Sequence, residues 1–233
     1  MNAKLISYSQ APSPTEQNAL FENDPDLLDL VAYCARVSNP SNQMNSETAE
    51  KLVRYLVKHK HWSPLEMVSA CLEIETTRDI ARQILRHRSF SFQEFSQRYA
   101  DPAEFGNQFV IREARLQDEK NRQNSVELDP ESDGHAILQG TWKNKQQQVI
   151  DKAKEAYEWA IENGIAKEQA RSVLPEGCTK TRLYMNGTLR SWVHYIELRG
   201  ANGTQKEHME IAHACAKVIA EIFPLAEELV SEI

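Results

Sequence analysis

The sequence predicts an α+β protein, and three observations lead to this class. Several segments carry apolar residues at helical spacing, two shorter segments alternate apolar and polar residues as strands do, and the strands do not alternate regularly with the helices. A regular alternation would favour a doubly wound parallel sheet instead. With 233 residues and a hydrophobic fraction of 41%, the chain is long enough to bury a substantial core, and we expect one domain over residues 1–233.

The N-terminal part is predicted to hold two helices. Asp24-Pro25 is typical of a helix start with proline at the first helical position, and the helical spacing of apolar residues then continues to about residue 37. Ser46 is the candidate cap of a second helix, whose apolar stripe precedes the basic run KHKH. Ser63-Pro64 prevents this helix from continuing.

The middle of the chain is predicted to contain a strand followed by a helix. Residues 66–76 alternate apolar and polar side chains, as a strand with one buried face does, and Thr77 is then the candidate cap of a third helix. Phe109 and Ile111 indicate a further strand. The residues that follow, 113–134, are polar and lack apolar periodicity, so we expect them to be exposed.

The C-terminal half is predicted to be mostly helical. Its elements are, in order, a long helix over about 135–163, a short helix that Pro175 ends, a strand over 179–187 and a helix over about 188–199. Thr204 and Glu207 have the spacing of a capping box, which predicts the start of a final helix.

Composition and charge exclude several classes of protein. The net charge of −7 argues against a protein that coats nucleic acid, because such binding depends on lysine and arginine neutralising phosphates. No apolar run approaches the roughly 20 residues of a membrane span, and the start MNAKLISYSQ lacks the apolar region of a signal peptide, so we expect no membrane partner and a cytoplasmic location. The cysteines form no C-x-x-C pair and the histidines no H-E-x-x-H motif, so we expect no metal site.

One segment, RHRSFSFQEFSQRYA at residues 86–100, concentrates arginines and aromatic residues. Arginine presents a planar, permanently charged fork that matches phosphate oxygens, so Arg86, Arg88 and Arg98 suit a phosphorylated ligand. A solvated turn is the ordinary alternative. Such a turn rarely carries phenylalanines, and the three in this segment fit either the apolar wall of a pocket or anchors in the core. We therefore predict a ligand site here.

This segment also resembles a family signature. RHRSFSFQEFSQR matches the R-H-R-x-x-S-x-x-x-x-S-x-R pattern of the flavin-dependent thymidylate synthases, the ThyX family. The similarity covers most of the chain in the family's order, with ARVS at 35–38, HWSPLE at 61–66, ARQILRHR at 81–88, ARSVLP at 170–175 and GTLRSWVHYIELR at 187–199. It implies one α+β domain with a central, mostly antiparallel sheet, assembled as a homotetramer whose subunits share active sites.

The resemblance implies an activity and its cofactors. Members of the family methylate deoxyuridylate (dUMP) at carbon 5 of the uracil to give dTMP. They use 5,10-methylenetetrahydrofolate as carbon donor and reduced FAD as hydride source, with NADPH restoring the reduced flavin. By this resemblance we expect FAD as cofactor, with dUMP, the folate and NADPH as the small-molecule partners.

The resemblance also assigns residues to this chemistry. At the reacting base, Arg199 would stabilise the uracil as its ring nitrogen ionises, and Ser96 would position the uracil without attacking it. The residues expected to contact FAD are Ser63, Arg86, His87, Arg88, Glu94, Thr188, Leu189, Arg190 and His194. Those expected to contact dUMP are Gln83, Ile84, Leu85, Arg86, Glu94, Phe95, Ser96, Gln97, Arg98, Arg171 and Arg199, with Gln83 and Arg86 from one subunit and residues 94–98 from another.

Two positions depart from the family pattern. Thr188 stands where many members have asparagine, and a threonine hydroxyl reaches less far, so a flavin contact there would be made by the backbone. Gly203 stands where members often have a histidine four residues after the activating arginine, which removes that contact. Trp192 falls on the apolar stripe of its helix and is interpreted as a core residue.

Two other functions compete with this interpretation. The arginines and phenylalanines of residues 86–100 would also suit a groove that stacks single-stranded nucleic acid, but the negative net charge argues against it. A nucleotide hydrolase would need carboxylates that hold magnesium, and the sequence shows no such cluster. The four cysteines are interpreted as buried or unreactive, so no thiolate attack on the substrate is expected.

Overall fold

A computed structural model describes residues 2–12, 21, 25–106 and 108–226 of the chain. The strands are β1 (Asn2–Tyr8), β2 (Ser69–Thr77), β3 (Ser91–Glu94), β4 (Arg115–Gln117), β5 (Ser125–Glu127) and β6 (Lys180–Thr188). The α-helices are α1 (Leu27–Ala35), α2 (Ala49–Lys58), α3 (Arg78–Ile84), α4 (Asp133–Glu162), α5 (Lys167–Ala170), α6 (Leu189–Gly200) and α7 (Lys206–Ala220). Short 3₁₀ turns lie at Pro40–Asn42, Ser63–Glu66, Pro102–Phe105 and Arg171–Val173.

The main sheet has four strands in the order β1-β2-β6-β3, and every neighbouring pair is antiparallel. The β2–β6 pair is its centre and runs in register from Ser69 opposite Thr188 to Thr77 opposite Lys180. A helix follows each of these two strands directly, α3 after Thr77 and α6 after Thr188. The predicted α+β class with an antiparallel sheet is confirmed, and the predicted strands over 66–76 and 179–187 are displaced by at most three residues at either end.

Alternation along β2 buries one face of the sheet. Ala70, Leu72 and Ile74 are at most 1% exposed, whereas the intervening residues are half-buried. Helices α6 and α7 cover this face with residues such as Trp192 and Ile211, which are fully buried. Each such aliphatic or aromatic side chain stabilises the fold by about 1.5–3 kcal/mol through its burial. The prediction that Trp192 is a core residue is confirmed.

Helix α4 is the longest element, with 30 residues. Ser132 caps its first turn by accepting a hydrogen bond from the N–H of His135, and Gly164 adopts a φ of 77° just after its end. Ile150 and Tyr157 on its inner face pack in a second, smaller hydrophobic cluster. Within the described ranges, no helix has the apolar length that a membrane span requires.

Two predicted helix starts need correction. Helix α1 is capped by Asp26 in a reciprocal capping box with Asp29, and the predicted cap Asp24 lies outside the described residues. Helix α2 begins at Ala49, so the prediction of Ser46 as its cap is wrong. The carbonyl of Ser46 instead accepts the N–H of Ala49 in the turn that precedes the helix.

The predicted capping box at the start of α7 is also wrong. The helix begins one residue after Gln205, which makes no side-chain cap. The hydroxyl of Thr204 donates to the carbonyl of Leu198 at 3.4 Å. The carboxylate of Glu207 forms an ion pair with Arg115 and accepts further hydrogen bonds from Gln205 and from its own backbone N–H, because a buried carboxylate gains most from a charged donor.

Four strands were not predicted, namely β1, β3, β4 and β5, and one predicted strand is absent from the described residues. β1 and β3 pair with the outer edges of the β2–β6 pair. Residues 113–134 contain the hairpin β4–β5, which is largely exposed, as predicted for this segment. Phe109 forms only an isolated bridge with Thr179 instead of a strand.

Phe90 packs closely over the backbone of Gly187 on β6. The ring is 8% exposed and makes an edge contact with Trp192 at 4.9 Å between ring centroids. A Cβ atom at position 187 would lie 2.6 Å from Cε1 of Phe90, which is far inside van der Waals contact. The aromatic neighbours leave the ring little room to move, so this position requires glycine.

We expect Gly187→Ala to lower the free energy of unfolding by about 1–3 kcal/mol, because the added methyl overpacks the core against Phe90. Urea unfolding followed by circular dichroism measures the change. Gly140→Ala is the matched control, since nothing lies within 4 Å of a Cβ at this position of α4. Helix propensity predicts that this control raises the stability by about 0.5–1 kcal/mol. Equal effects of the two substitutions would contradict the packing argument.

Candidate active site

The ends of α3 and α6 meet at a hydrogen bond between two predicted site residues. Nε of Arg199 donates to Nε2 of His87 at 3.0 Å. Burial, with a contribution from the Arg199 charge, lowers the pKa of His87 from 6.5 to about 4. The imidazole is therefore neutral near pH 7, and Nε2 accepts from the guanidinium while Nδ1 carries the proton. Within the described part of the chain, the terminal nitrogens of Arg199 have no partner, so both remain for a ligand.

Arg86 and Arg88 lie on either side of His87, and both are exposed. Among the described residues, neither guanidinium has a hydrogen-bond or ion-pair partner. Most arginines of this chain are paired, for example Arg82 with Glu176 at 2.7 Å and Arg112 with Asp79 at 2.7 Å. Two unneutralised guanidinium groups beside a neutral histidine suit a ligand with phosphate groups.

Arg98 and Arg171 form a second group of predicted substrate residues. Arg98 lies 3.5 Å from the carboxylate of Glu168, and Nε of Arg171 donates to the backbone carbonyl of the same residue at 3.3 Å. Across the described ranges, no hydrogen bond or ion pair links either arginine to Arg199 or His87. The predicted site residues of one chain therefore fall into two separate groups.

Gln97, next to Arg98, has a buried donor without a partner. The residue is 3% exposed, and its Nε2 has no hydrogen-bond partner in the described structure. Such a group costs about 1–3 kcal/mol if it stays unsatisfied, so a ligand acceptor is expected at this position. Ser96 is half-buried, and within the described residues no histidine–aspartate pair contacts its hydroxyl, which fits a positioning role and not attack.

Glu94, at the end of β3, is held within its own chain. Its Oε1 accepts from the hydroxyl of Thr181 at 2.9 Å and lies 3.4 Å from a terminal nitrogen of the buried Arg78. Oε2 has no partner among the residues that the structure describes, so it remains for a ligand. Ile84 is fully buried, Leu85 is half-buried, and Phe95 is half-buried with its N–H donating to the carbonyl of Arg182.

The predicted flavin segments are brought together at the start of α6. Glu66 of the Ser63–Glu66 turn forms an ion pair with Arg190, and His194 makes an edge contact with Trp62 at 4.6 Å between ring centroids. Both Arg190 and His194 lie on the outer side of α6. These contacts place the Ser63 turn against the predicted flavin residues of α6.

Thr188 and Leu189 have structural tasks at the same helix start. The hydroxyl of Thr188 accepts the N–H of Ser191 at 3.3 Å and so caps α6. The side chain of Leu189 is fully buried in the core, and its N–H donates to the carbonyl of Val68 at 3.0 Å. Both side chains are thus engaged within the chain, and a flavin contact through the backbone of Thr188 stays a prediction.

One residue beside Gln83, His208, has no role assigned from the sequence. His208 is fully buried, with Nε2 3.2 Å from the hydroxyl of Tyr195 and Nδ1 3.2 Å from Oε1 of Gln83. Burial, with the charge of Arg199, lowers the pKa of His208 from 6.5 to about 3. A signal was available, because His208 shares a face of α7 with the buried Ile211, and a buried histidine needs partners.

Three of the four cysteines have thiols whose pKa is raised. Burial raises the pKa of the Cys178 thiol despite the opposing effect of Arg112, and it raises the pKa of Cys71 and of the fully buried Cys215. A thiolate is thus disfavoured at each of these three positions. Among the described residues, no group of three or more histidine, cysteine, aspartate or glutamate side chains is arranged to hold a metal ion.

Comparisons with known proteins identify relatives of the chain. The sequence profile of the family described as "Thymidylate synthase complementing protein" matches residues 19–225. The chain is 47% identical over 224 residues to a "Probable flavin-dependent thymidylate synthase" of Paramecium bursaria Chlorella virus 1, covering 96% of each chain. It is 50% identical over 196 residues to a "Flavin-dependent thymidylate synthase" of Synechocystis sp., covering 84% of this chain and 85% of the relative.

A solved structure supports the fold. A UMP/dUMP methylase, PolB from Streptomyces cacaoi, bound with 5-Br dUMP, superposes with a TM-score of 0.74 and covers 100% of this chain and 95% of that one. The two sequences are 22% identical, so this similarity is used for the fold alone.

The two neutral histidines predict how stability depends on pH. Their pKa values of about 4 and about 3 lie below the ordinary value of 6.5. As pH falls from 6.5 towards 4, the unfolded chain takes up protons at both positions and the folded chain does not. The free energy of unfolding therefore falls with pH in this window, by at most about 1.4 kcal/mol per pH unit for each histidine.

Urea unfolding between pH 7 and pH 5 measures this slope. We expect His208→Gln to reduce this pH slope of the unfolding free energy by the contribution of one histidine. His61→Gln, on the exposed surface, should leave the slope as it is in the original chain. An unchanged slope in His208→Gln would show that the buried His208 does not resist protonation.

Proposed function

The chain belongs to the family of flavin-dependent thymidylate synthases, and from this membership we propose that it catalyses the reductive methylation of dUMP to dTMP. One observation carries the proposal at the level of residues. Arg199 and His87, which the family resemblance assigns to the uracil and the flavin, are joined by a hydrogen bond of 3.0 Å although they lie 112 residues apart in the sequence. We propose that residues 1–233 act as one catalytic domain.

FAD is the proposed cofactor, and the side chains present fit it. Arg86 and Arg88 supply two guanidinium groups without partners among the described residues for a diphosphate. His194 and Trp62 supply aromatic surface beside Ser63. When bound, reduced FAD supplies the hydride, 5,10-methylenetetrahydrofolate supplies the one-carbon unit, and NADPH is the proposed reductant that regenerates the flavin.

Arg199 is the proposed activating residue for the uracil. Its guanidinium is anchored through Nε to the neutral His87, so the two terminal N–H₂ groups form a fork of fixed direction. A fork of this kind stabilises negative charge that develops on a ring nitrogen and its neighbouring carbonyl oxygen. Because His87 is neutral, it accepts this hydrogen bond without adding a second positive charge to the site.

The nucleotide is proposed to lie between two subunits of a homotetramer. Gln83, Arg86 and Arg199 form one group of ligand residues, whereas Arg98 and Arg171 meet separately at Glu168. A second copy of the chain would bring the two groups to one site. The unpartnered Nε2 of Gln97 supports a ligand acceptor at the second group.

The burial of two aromatic residues argues against the nucleic-acid alternative. Binding of single strands requires exposed rings on which bases stack. Phe90 is buried, and Phe92 is half-buried and packs against the core. Phe90 and Phe92 therefore act as core anchors, which is one of the two interpretations of the phenylalanines in the sequence.

The proposal is tested with the purified protein, FAD and the three substrates. We expect the protein to bind FAD with a visible spectrum, NADPH to bleach this spectrum anaerobically, and dTMP to form only when dUMP and 5,10-methylenetetrahydrofolate are both present. Light scattering on the same sample gives the mass of the assembly, which we expect to be that of four chains. A folded protein that binds no FAD at saturating concentration would end the proposal.

We expect Arg199→Lys to fold and to bind FAD but to form dTMP at least about 100-fold more slowly at saturating substrates, because a single ammonium cannot replace the fork anchored on His87. Arg82→Lys is the matched control, since Arg82 is an exposed residue of α3 that pairs with Glu176 on the surface. Its rate should stay within about 2-fold of the original. Equal rates for the two variants would remove Arg199 from catalysis.

A further inference from the structure

A chain of hydrogen bonds lies behind Gln83 and connects α6, α7 and the hairpin. Its members are polar side chains that are buried or half-buried in succession, namely Tyr195, His208, Gln83, Gln205, Glu207 and Arg115. The hydroxyl of Tyr195 lies 3.2 Å from Nε2 of His208, and Nδ1 of His208 lies 3.2 Å from Oε1 of Gln83. Nε2 of Gln83 then donates to Oε1 of Gln205 at 2.8 Å, and Nε2 of Gln205 donates to Oε2 of Glu207 at 2.9 Å.

The charge of Glu207 determines which group donates and which accepts at each step of this series of hydrogen bonds. Burial raises the pKa of the Glu207 carboxyl, but hydrogen bonds from Arg115, from its own backbone N–H and from Gln205 outweigh burial, so the net pKa is lowered. An ionised carboxylate only accepts hydrogen bonds. Gln205 must therefore present its N–H₂ to Glu207 and its carbonyl oxygen to Gln83.

The same reasoning continues step by step to Tyr195. Since Gln205 presents an acceptor, Gln83 must turn its N–H₂ towards it and its Oε1 towards His208. His208 then carries its proton on Nδ1, and its Nε2 accepts from the hydroxyl of Tyr195. Burial keeps the phenol protonated, because it raises the pKa of Tyr195. One carboxylate thus sets two amide orientations, one tautomer and one hydroxyl direction.

The consequence for Gln83 is a defined face towards the candidate site. Gln83 is half-buried and precedes Arg86 by about one helical turn. With Oε1 engaged by His208 and one N–H engaged by Gln205, its second N–H is left as a donor. A flipped amide would instead present an acceptor at the same place.

We propose that His208 and Gln205 are positioning residues that hold the amide of Gln83 in the orientation in which it donates an N–H to an acceptor oxygen of the nucleotide. The identity of the ligand rests on the proposed function, whereas the orientation of the amide rests on the hydrogen-bond chain. Neither His208 nor Gln205 touches the nucleotide in this arrangement. Their effect on binding passes through Gln83 alone.

The test is a double-substitution cycle read out as dUMP affinity of the FAD-loaded protein by titration calorimetry, without turnover. We expect Gln83→Ala and His208→Leu each to weaken dUMP binding by about 10-fold, the share of one well-placed hydrogen bond. Adding His208→Leu to Gln83→Ala should weaken binding no further, because the amide that His208 holds is already absent. A purely structural role would give either no loss of affinity or an equal loss in both backgrounds, and either result would overturn the proposal.

Two further variants keep the test decisive if His208→Leu does not fold. His208→Gln offers a donor and an acceptor at the same position, and we expect it to retain dUMP affinity within about 2-fold. Gln205→Met breaks the chain on the other side of Gln83 and should weaken binding only when Gln83 is present. Loss of affinity in His208→Gln equal to that in Gln205→Met would contradict the proposal. If the original FAD-loaded protein bound no dUMP, the proposed function itself would fall, which is a different result from dUMP binding without coupling.

Discussion

The antiparallel pairing of β2 with β6 is the constraint on which the other elements depend. The two strands are in register over their full length, and each ends in a threonine that is followed directly by a helix. Because the strands run in opposite directions, α3 and α6 leave from opposite ends of the pair. His87 after α3 and Arg199 near the end of α6 then meet on the covered side of the sheet. A shift of one residue in the pairing would exchange the buried and half-buried faces of β2 and would separate these two side chains.

The central elements of the fold could be predicted because their signals are local. β2 and β6 alternate apolar and polar residues, and α4 and α6 have clear periodicity and end signals, so their positions followed from the sequence to within a few residues. β1 and β3 could not be predicted in this way, because both are edge strands with largely exposed or half-buried side chains. Their pairing is decided by the free edges of β2 and β6, which are distant in the sequence.

The residues of the candidate site differ in the same way, according to whether their signal in the sequence is local. The arginines of residues 86–98 could be assigned from their chemistry and from the family signature, since a charged fork beside aromatic residues is a local pattern. The roles of Gln205 and His208 depend on contacts with Gln83, about 120 residues earlier in the chain. Glu207 illustrates the difference: its spacing from Thr204 indicates a capping box, but the half-buried guanidinium of Arg115 offers a stronger partner that no local pattern reveals. The division between Gln83 and Arg86 of one subunit and residues 94–98 of another was expected from the family resemblance and not from any spacing.

The packing of Phe90 on Gly187 ties the arginine-bearing loop to the sheet by shape instead of by charge. This attachment depends on glycine at position 187 as much as on Phe90, because the ring occupies the space that a larger side chain would fill. Transplanting the loop onto another scaffold would therefore require a glycine at the matching point of the host strand, since a bulkier residue would lift the ring and tilt the neighbouring arginines. Directed evolution of the loop has to treat positions 90 and 187 as one unit, although 96 residues separate them in the sequence.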